Sequence, residues 1–430
     1  VFERPKGGEA ALLVLLDLGS SRASEADVQE FRDLAAAAGA TIVGLVRGRR
    51  AEPDPRTFVG GGKLDEIAQW VALESAELVI VDHELTPSQE RNLERALDCR
   101  VLDRTGLILD IFAQRARSFE GKLQVELAQL EHLSTRLVRG WTHLERQRGG
   151  IGLRGPGETQ LETDRRLIGQ RIKQIRQRLQ RVAQQRQQGR NARQRADVPT
   201  VSLVGYTNSG KSTLFNRLTD AGVFAANQLF ATLDPTLRRL PLPRGGNAVL
   251  ADTVGFISKL PHELVAAFRS TLQETVEADL LLHVIDFTDQ ARVERTLEVE
   301  AVLEQIGAAA DTQVPCLRVY NKIDLVSEVP SHLERDHQGV VSAVWVSART
   351  GAGLELLREA IAERTFGQPV RRTLHLGPHE GRLRAQLFSL GQILAEHSSS
   401  DGGWDLIVQL TPVDAARLED HRAPTGMSDP

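Results

Sequence analysis

The stretch Gly-Tyr-Thr-Asn-Ser-Gly-Lys-Ser occupies residues 205–212, and it decides the expected fold. It fits the pattern G-x-x-x-x-G-K-[ST], in which backbone N–H groups and a helix N-terminus surround polyphosphate oxygens. The apolar run 200–204 precedes it as a strand, and residues 213–218 follow it as a helix start. In this pattern Lys211 reaches the β- and γ-phosphates, and the Ser212 hydroxyl binds Mg²⁺. The alternative, a plain Gly-rich turn, does not require this strand–loop–helix context. The predicted phosphate-binding residues are Gly205, Tyr206, Thr207, Asn208, Ser209, Gly210, Lys211 and Ser212.

A second motif, Asn321-Lys322-Ile323-Asp324, follows the apolar run 314–320 and predicts which base is bound. A carboxylate such as Asp324 accepts two hydrogen bonds from the N1–H and the amino group of guanine, and adenine lacks this pair of donors. Sites built on such bonds reject the wrong ligand by ~10⁴-fold, because a buried Asp324 is otherwise left unpaired. N-K-x-D alone is usually a surface turn, but its place after a strand and a phosphate loop favours guanine. The segment Ser347-Ala348-Arg349 is predicted to contact the guanine carbonyl.

Two further segments have the features of nucleotide-sensing switches. In Asp252-Thr253-Val254-Gly255, the aspartate at a strand end is expected to hold Mg²⁺ through water, and the Gly255 N–H to sense the γ-phosphate. In Phe230-Ala231-Thr232-Leu233-Asp234, Thr232 is the predicted second protein ligand of Mg²⁺, although an ordinary loop threonine is the alternative. Lys211, Thr232 and Gly255 are the predicted catalytic residues. Together the five motifs predict a P-loop GTPase G domain of Ras-like topology that binds GTP and GDP.

The residue after Gly255 is Phe256, and it bears on the expected rate of hydrolysis. Signalling GTPases usually carry a glutamine there, which orients the attacking water. A phenyl ring can neither donate a hydrogen bond to that water nor accept one from it. We therefore expect either slow hydrolysis by the isolated chain or an attacking water that another group or a partner orders. Groups supplied by a partner can add ~10³- to 10⁵-fold to the rate of phosphoryl transfer.

Composition indicates an ordinary water-soluble protein of two to four domains. The chain has 430 residues, 41% hydrophobic and 26% charged, and lacks an apolar run long enough to span a bilayer. Its opening residues have no signal-peptide pattern, so a cytoplasmic monomer is the expectation. The two cysteines, Cys99 and Cys316, lie in or beside strand-like runs and are predicted to be small core residues.

The net charge of −4 conceals a strongly basic segment. Residues 165–195 contain ten arginines and one lysine but no acidic residue, so the remainder of the chain carries −15. This charge on a helix-like stretch is the footprint expected for a polyphosphate backbone.

Four domains are predicted: an N-terminal α/β domain over 1–118, a helical hairpin over 119–197, the G domain over 198–367 and a small C-terminal α/β domain over 368–430. In the first, strands are expected at Ala10–Leu16, Thr41–Val46, Leu78–Val81 and Arg100–Leu102, and helices at Glu25–Ala38, Lys63–Glu74 and Ser88–Leu97. Such alternation predicts a parallel sheet. The loop Val59-Gly60-Gly61-Gly62-Lys63 opens a helix and fits either an anion site or a simple helix cap.

The hairpin is predicted from apolar residues at helical spacing. They are Leu123, Leu127, Leu130 and Leu137 in one helix and Leu161, Ile168, Ile172, Ile175, Leu179 and Val182 in the other. The loop 146–160 between the helices carries five glycines and three arginines, which suits contact with a polyanion, although such loops are often disordered. The predicted RNA contacts are Arg146, Arg148, Arg154, Arg165 and Arg166.

The remaining predictions concern connections and the C-terminal domain. Residues 189–198 are expected to form a linker, and residues 262–269 to form a switch helix. The C-terminal domain is expected to contain a strand at Thr373–Leu376, a helix at Leu383–Ala395 and a strand at Trp404–Leu410.

The chain resembles the HflX family of bacterial ribosome-associated GTPases in several motifs. They are Glu-Gly-Lys-Leu-Gln-Val-Glu-Leu-Ala-Gln-Leu at 120–130, Gly-Gly-Ile-Gly at 149–152, Arg-Gly-Pro-Gly-Glu-Thr-Gln-Leu-Glu at 154–162, the switches at 230–234 and 252–256, and Gly-Gly-Gly-Lys at 60–63. The string Leu-Ser-Thr-Arg-Leu at 133–137 departs from the proline-bearing string expected in the family.

This resemblance implies binding to the large (50S) ribosomal subunit, with the hairpin loop directed into ribosomal RNA near the peptidyl-transferase centre. It also implies GTP-dependent splitting or rescue of stalled ribosomes under stress, with hydrolysis stimulated by the ribosome. Two alternatives stay open. One is a ribosome-assembly or RNA-remodelling factor timed by GTP hydrolysis. The other is a signalling switch at a membrane, against which the Gln-rich face of the basic helix argues.

Overall fold

The computed structural model describes most of the chain. The described residues are 8–19, 22–136, 160–195, 198–219, 229–230, 232–233, 236–243, 246–259, 274–308, 314–327, 329–368, 370–390, 392–399, 402–410, 412, 414–415 and 418. The chain divides into two compact units. The first comprises residues 1–188, 226–234 and 257–271, and the second comprises residues 189–225, 235–256 and 272–430. The predicted switch helix 262–269 lies outside the described residues, as does the predicted loop 146–160 except for Gln160.

The first unit contains a four-stranded parallel sheet with the strand order β2-β1-β3-β4. Its strands are β1 (Ala10–Leu18), β2 (Thr41–Arg50), β3 (Leu78–Val81) and β4 (Arg100–Asp103). Its helices are α1 (Glu25–Ala37), α2 (Gly61–Glu74), α3 (Pro87–Leu97) and α4 (Arg104–Arg115). The predicted alternation and the parallel sheet are therefore confirmed.

Local signals explain where these helices begin. Ser24 and Asp27 form a capping box at the start of α1, and Thr86 and Gln89 form another at the start of α3. The N-cap of α2 is Gly60, which has no side chain with which to cap the helix. In β1, residues 11–16 are buried, so this strand forms the centre of the apolar core.

Part of the predicted hairpin seam is present in α5 (Phe119–Arg136) and α6 (Gln160–Arg195), while the predicted seam residue Leu137 lies outside the described residues. The residues that pack together are Leu123, Leu127, Leu130, Ile172, Ile175 and Leu179. Arg186 near the end of α6 pairs with Glu120 near the start of α5, and Arg176 pairs with Glu131, so the helices run antiparallel. The predicted linker over 189–198 is wrong up to residue 195, because α6 continues through a stretch of Gln and Arg, which are good helix formers.

The second unit carries a seven-stranded sheet with the order β10-β11-β9-β8-β5-β7-β6. The strands are β5 (Thr200–Val204), β6 (Thr236–Pro241), β7 (Asn247–Asp252), β8 (Leu280–Asp286), β9 (Cys316–Asn321), β10 (Leu333–Arg335) and β11 (Val341–Trp345). Strands β6 and β10 are antiparallel to their neighbours and lie at the two edges. The helices are α7 (Lys211–Thr219), α8 (Arg292–Ile306) and α9 (Leu354–Phe366). The five central strands are parallel, so their carboxyl ends share one edge, where ligands usually bind.

A separate three-stranded antiparallel sheet follows α9 and has the order β12-β14-β13. Its elements are β12 (Val370–Leu376), α10 (Gly381–Leu390), β13 (Gln392–Ser398) and β14 (Trp404–Leu410). The helix predicted over Leu383–Ala395 is wrong in its second half, because Gln392–Ser398 pairs with β14. That pairing supplies backbone hydrogen bonds from a distant segment, which local sequence preference does not reveal.

Both cysteines are free. Cys99 packs against the core of the first unit, but Cys316 is exposed at the first position of β9, so the core prediction is wrong for Cys316. Among the described helices, none is long and apolar enough to cross a membrane. The α/β fold class with a P-loop G domain is confirmed.

Candidate nucleotide-binding site

The phosphate loop joins β5 to α7 in a conformation that requires glycine at two positions. Gly205 has a φ of 143° and Gly210 a φ of 94°, and residues with a side chain rarely adopt these backbone angles. A Cβ atom at Gly205 would lie 2.3 Å from the Val284 carbonyl oxygen. A Cβ atom at Gly210 would lie 2.3 Å from Nδ2 of the Asn321 side chain. The loop is therefore packed tightly against both β8 and the base-recognition motif.

Lys211 begins α7 and is buried inside the loop that precedes it. Its ammonium donates to the carbonyl oxygens of Gly205, at 3.0 Å, and Tyr206, at 2.7 Å. Burial lowers the pKa of Lys211 to about 8, and the nearby Asp252 carboxylate opposes that shift. A cation held in this way, with few polar neighbours, gains strongly from a polyphosphate anion.

Ser212 and Asp252 form the pair of oxygen donors predicted near Mg²⁺. The Ser212 hydroxyl donates to Asp252 Oδ2 over 2.8 Å, and Asp252 is completely buried at the end of β7. The next residue, Thr253, donates its hydroxyl to the Leu203 carbonyl oxygen at 2.5 Å, which fixes the chain there. A hydroxyl beside a carboxylate fits the oxygen preference of Mg²⁺.

The segment around Gly255 pairs through its backbone with the phosphate loop. The Phe256 N–H donates to the Gly205 carbonyl oxygen at 3.1 Å, and the Thr207 N–H donates to the Phe256 carbonyl oxygen at 2.7 Å. A Cβ atom at Gly255 would lie 3.0 Å from Lys211 Nζ and 2.9 Å from the Thr207 methyl carbon. Gly255 therefore lies directly beside Lys211, the lysine predicted to bind phosphate, while the Phe256 ring is buried.

Asn321 connects three parts of the site. Its Nδ2 donates to the Ser209 carbonyl oxygen at 2.9 Å, and its Oδ1 accepts from the Ala348 N–H at 2.9 Å. Asn321 thus ties the N-K-x-D motif to the phosphate loop. The neighbouring Lys322 ammonium donates to Asp286 Oδ2 at 2.7 Å.

Asp324, the carboxylate predicted to recognise guanine, is positioned by the neighbouring segment 347–349. The Ser347 hydroxyl donates to Asp324 Oδ1 at 2.6 Å, and Ser347 itself is fully buried. Asp324 is exposed, unlike the buried carboxylate expected from the sequence, because it lies in the short 3₁₀ helix Ile323–Leu325 beyond the end of β9. Ile323 is buried, and Arg349 is exposed with its carbonyl oxygen accepting from Arg217 at 2.7 Å.

The first switch segment is described only in part. Phe230, Thr232 and Leu233 belong to the first unit, where the Phe230 ring meets the Phe112 ring edge-on with centroids 4.6 Å apart. The predicted site residues Ala231 and Asp234 lie outside the described residues. In the second switch, the predicted site residue Val254 is buried. It belongs to the second unit, which includes residues 235–256.

Sequence reasoning missed a buried charge cluster that holds the residues after Phe256. In the first unit, Arg104 donates to the Ser258 carbonyl oxygen at 2.8 Å and to Glu30 at 2.9 Å, and it also pairs with Asp82. The Ser258 hydroxyl donates to Glu30 at 2.8 Å. Lys259 reaches Asp82 at 3.1 Å. No local pattern could have found these contacts, because residues 258 and 259 are more than 150 residues away from their partners in sequence.

The predicted RNA-contact residues fall into two groups. Arg165 and Arg166 are exposed on α6. Arg146, Arg148 and Arg154 lie outside the described residues.

The fold and these motifs define a P-loop GTPase with a Ras-like G domain. Family models agree, matching residues 25–113 as "GTP-binding GTPase N-terminal", residues 115–193 as "GTP-binding GTPase Middle Region" and residues 200–322 as "50S ribosome-binding GTPase". The chain is also 57% identical over 419 residues to the GTPase HflX of Escherichia coli (strain K12), covering 97% of each chain.

The chain belongs to the HflX family of GTPases, which confirms the resemblance seen in its motifs. A second relative, the GTPase HflX of Caldanaerobacter subterraneus subsp. tengcongensis, is 48% identical over 85% of this chain and 82% of its own. A solved structure described as the "crystal structure of SsGBP and GDP complex" is 26% identical over 83% of this chain and 98% of that chain. Its TM-score is 0.45, so the family assignment rests on the sequence relatives. GTP hydrolysis is the activity of this chain.

Proposed function

We propose that this GTPase binds the 50S ribosomal subunit in the cytoplasm and uses GTP to split or rescue stalled ribosomes under stress. The observation that carries the proposal is the basic helix α6, several of whose arginines are exposed. The same chain contains a complete set of GTPase motifs. The description of the matched G-domain model as a 50S ribosome-binding GTPase supports the choice of partner.

The nucleotide site assigns a role to each motif in this proposal. Lys211 and the amides of 205–212 hold the phosphates, and the loop 321–324 with Ser347 holds guanine. Ser212 and Thr232 are the residues that would supply hydroxyl ligands to Mg²⁺, and Asp252 would act on the ion through water. The ion, when bound, neutralises charge on the β- and γ-phosphates. Gly255, which lies beside Lys211, senses the γ-phosphate through its N–H.

The charge on the hairpin supports ribosomal RNA as the ligand of α6. Some of its arginines are paired within the hairpin, as Arg171 is with Glu126 and Arg176 with Glu131. Arg165 and Arg166 are exposed in the second turn of α6, and in the sequence they follow the Gly- and Arg-rich segment 146–160 by a few residues. Arginines so placed meet a phosphate backbone at low desolvation cost.

Stimulation by the ribosome follows from the chemistry of Phe256. Its ring is buried and its backbone is paired with the phosphate loop, so this residue offers the attacking water no polar side chain. A partner must then supply or order the missing group, as partner-supplied residues do in other GTPases.

The proposal is tested by following 70S ribosomes by light scattering after adding this protein. With GTP or a nonhydrolysable analogue, scattering should fall as subunits separate, and with GDP it should change little. The Lys211→Ala variant should be inactive. Unchanged scattering with every nucleotide would contradict ribosome splitting.

The second candidate is a ribosome-assembly or RNA-remodelling factor timed by GTP, and the same basic helix supports it. Sucrose gradients of cells lacking the protein distinguish the two. Accumulated immature subunits favour assembly, whereas stalled intact ribosomes favour rescue.

A further inference from the structure

Lys322, the second residue of the N-K-x-D motif, has an unusual backbone conformation. Its φ is 70°, in the left-handed region that residues other than glycine seldom occupy. Such a conformation persists only where surrounding contacts enforce it. The Lys322 ammonium donates a 2.7 Å hydrogen bond to Asp286 Oδ2. Asp286 is the last residue of β8 and belongs to none of the five sequence motifs.

The Asp286 carboxylate is itself fixed by the turn that follows it. Its Oδ1 accepts from the Thr288 N–H at 3.0 Å and from the Thr288 hydroxyl at 2.7 Å. Asp286 is also the register partner of Asn321 in the parallel pair β8–β9, and the Phe287 N–H donates to the Asn321 carbonyl oxygen at 2.9 Å. One oxygen is thus held by the turn, while the other is directed to Lys322.

Aromatic rings pack together at residues next to the N-K-x-D loop. Tyr320, which precedes Asn321, stacks on Trp345 with ring centroids 4.6 Å apart, and Phe287 meets Tyr320 edge-on at 6.0 Å. Trp345 lies two residues before Ser347. The residues that flank Asp286 and the predicted guanine motif therefore form one packed group, and the Lys322–Asp286 bond adds a polar contact between the same two chain segments.

An exposed ion pair between mobile side chains contributes little. This pair differs, because Lys322 and Asp286 are only 30% and 22% exposed and the carboxylate is immobilised by two further hydrogen bonds. Its geometry is suited to holding a loop in place.

We propose that Asp286 is a positioning residue for guanine recognition. It holds the Lys322 ammonium, so that the loop keeps the left-handed turn that presents Asp324 to the base. The proposal rests on the proposed role of residues 321–324 in binding guanine.

The Asp286→Asn variant separates this role from a general effect on folding. Its single amide oxygen remains engaged by Thr288, so its NH₂ group faces the Lys322 ammonium. Affinity for GTP and GDP, measured by fluorescence with labelled nucleotides, should fall about tenfold, as expected when a charge-assisted hydrogen bond is removed. The matched control is Asp336→Asn, which removes another carboxylate that accepts N–H groups within a surface turn of the same unit. Nucleotide affinity should not change in the control.

A double-mutant cycle tests whether Asp286 acts through Lys322. In a Lys322→Met background, Asp286→Asn should have no additional effect on affinity. Wild-type affinity in Asp286→Asn, or the same fall in affinity with and without Lys322, would overturn the inference.

The Asp324→Asn variant tests the underlying assignment separately. If it leaves the preference for GTP over ATP unchanged, the guanine role of the loop fails. If it lowers that preference while Asp286→Asn binds normally, only the role of Asp286 fails.

Discussion

The Asn321 side chain donates to the Ser209 carbonyl oxygen over 2.9 Å and so joins the base-recognition loop to the phosphate loop. Because Asn321 also accepts from Ala348, this single buried amide fixes three motifs with respect to one another. The loops predicted to bind the base and the phosphates are therefore connected by direct hydrogen bonds.

Replacing Asn321 with alanine should weaken both GTP and GDP binding by about ten- to a hundredfold, because buried partners are left unsatisfied at about 1–3 kcal/mol. Titration calorimetry measures this directly. Asn247→Ala, which removes a half-buried asparagine whose Oδ1 accepts from Arg239 in the same unit, is the control and should bind normally. Equal affinities in both variants would remove Asn321 from the site.

The lowered pKa of Lys211 predicts proton uptake on nucleotide binding. The pKa is about 8 in the folded protein, compared with 10.5 in the unfolded chain, so the unfolded chain binds more protons between these values. The contribution of this group to folding stability therefore rises as the pH increases from about 8 to 10.5. A bound triphosphate favours the charged lysine and raises its pKa again.

Near pH 9, GTP binding should accordingly take up a proton, which calorimetry in buffers of different ionisation enthalpy detects. At pH 6.5 the uptake should vanish, since Lys211 is already protonated. Lys211→Met should show none of this uptake at either pH. A binding enthalpy at pH 9 that is independent of the buffer would contradict the prediction.

Arg104→Met should destabilise the first unit strongly. It leaves Glu30 and Asp82 buried without their arginine, and breaking a buried ion pair costs about 3–5 kcal/mol. Denaturant unfolding measures the decrease in stability. Arg47→Met, which removes an arginine paired with the highly exposed Glu25, should cost at most about 1 kcal/mol. Similar decreases in the two variants would mean that the buried ion pairs of Arg104 stabilise the fold no more than the exposed pair of Arg47 does.

Phe256→Gln should not create a fast intrinsic GTPase. Because the ring is buried and the backbone is paired with the phosphate loop, an amide in its place is held inside the protein and away from the attacking water. The rate is measured by single-turnover hydrolysis without ribosomes. The free energy of unfolding should fall by about 3–5 kcal/mol, as for removal of a large buried side chain, and by more than in Phe256→Leu. An increase in rate of tenfold or more would show that the side chain reaches the water.

Replacing Arg165 and Arg166 together with glutamine should weaken 50S binding and flatten its salt dependence. Each phosphate that the protein no longer neutralises reduces the slope of log affinity against log salt concentration by ~0.7–0.9. Arg171→Gln is the control, because this arginine already pairs with Glu126 inside the hairpin. If the double variant keeps the wild-type slope, these two residues do not bind phosphates.

The parts of the site that could be predicted from the sequence are those fixed by local chemistry. Gly205 and Gly210 indicate a loop that only glycine can form, and the structure explains why, since a Cβ atom would strike Val284 or Asn321. The apolar seam of the hairpin could be predicted equally well, because Leu127 and Ile175 belong to runs of apolar residues at helical spacing.

The parts that could not be predicted depend on contacts between distant residues. Gln392–Ser398 has the sequence of a continued α10, and only its pairing with β14 makes it a strand. Arg104 and Ser258 show no common pattern, although one holds the other. In the sequence Asp286 is an ordinary strand-end aspartate, and only the backbone angle and the ammonium of Lys322 reveal its place in the site.

The affinity of the 50S subunit for this protein, measured by sedimentation with a nonhydrolysable GTP analogue and again with GDP, tests the central claim most directly. Because binding free energies are reciprocal, a subunit that senses the γ-phosphate must favour one nucleotide form. We predict binding about tenfold or more tighter with the analogue, within the usual range of coupling between sites. Equal affinity in the two states would contradict the claim that GTP controls ribosome binding.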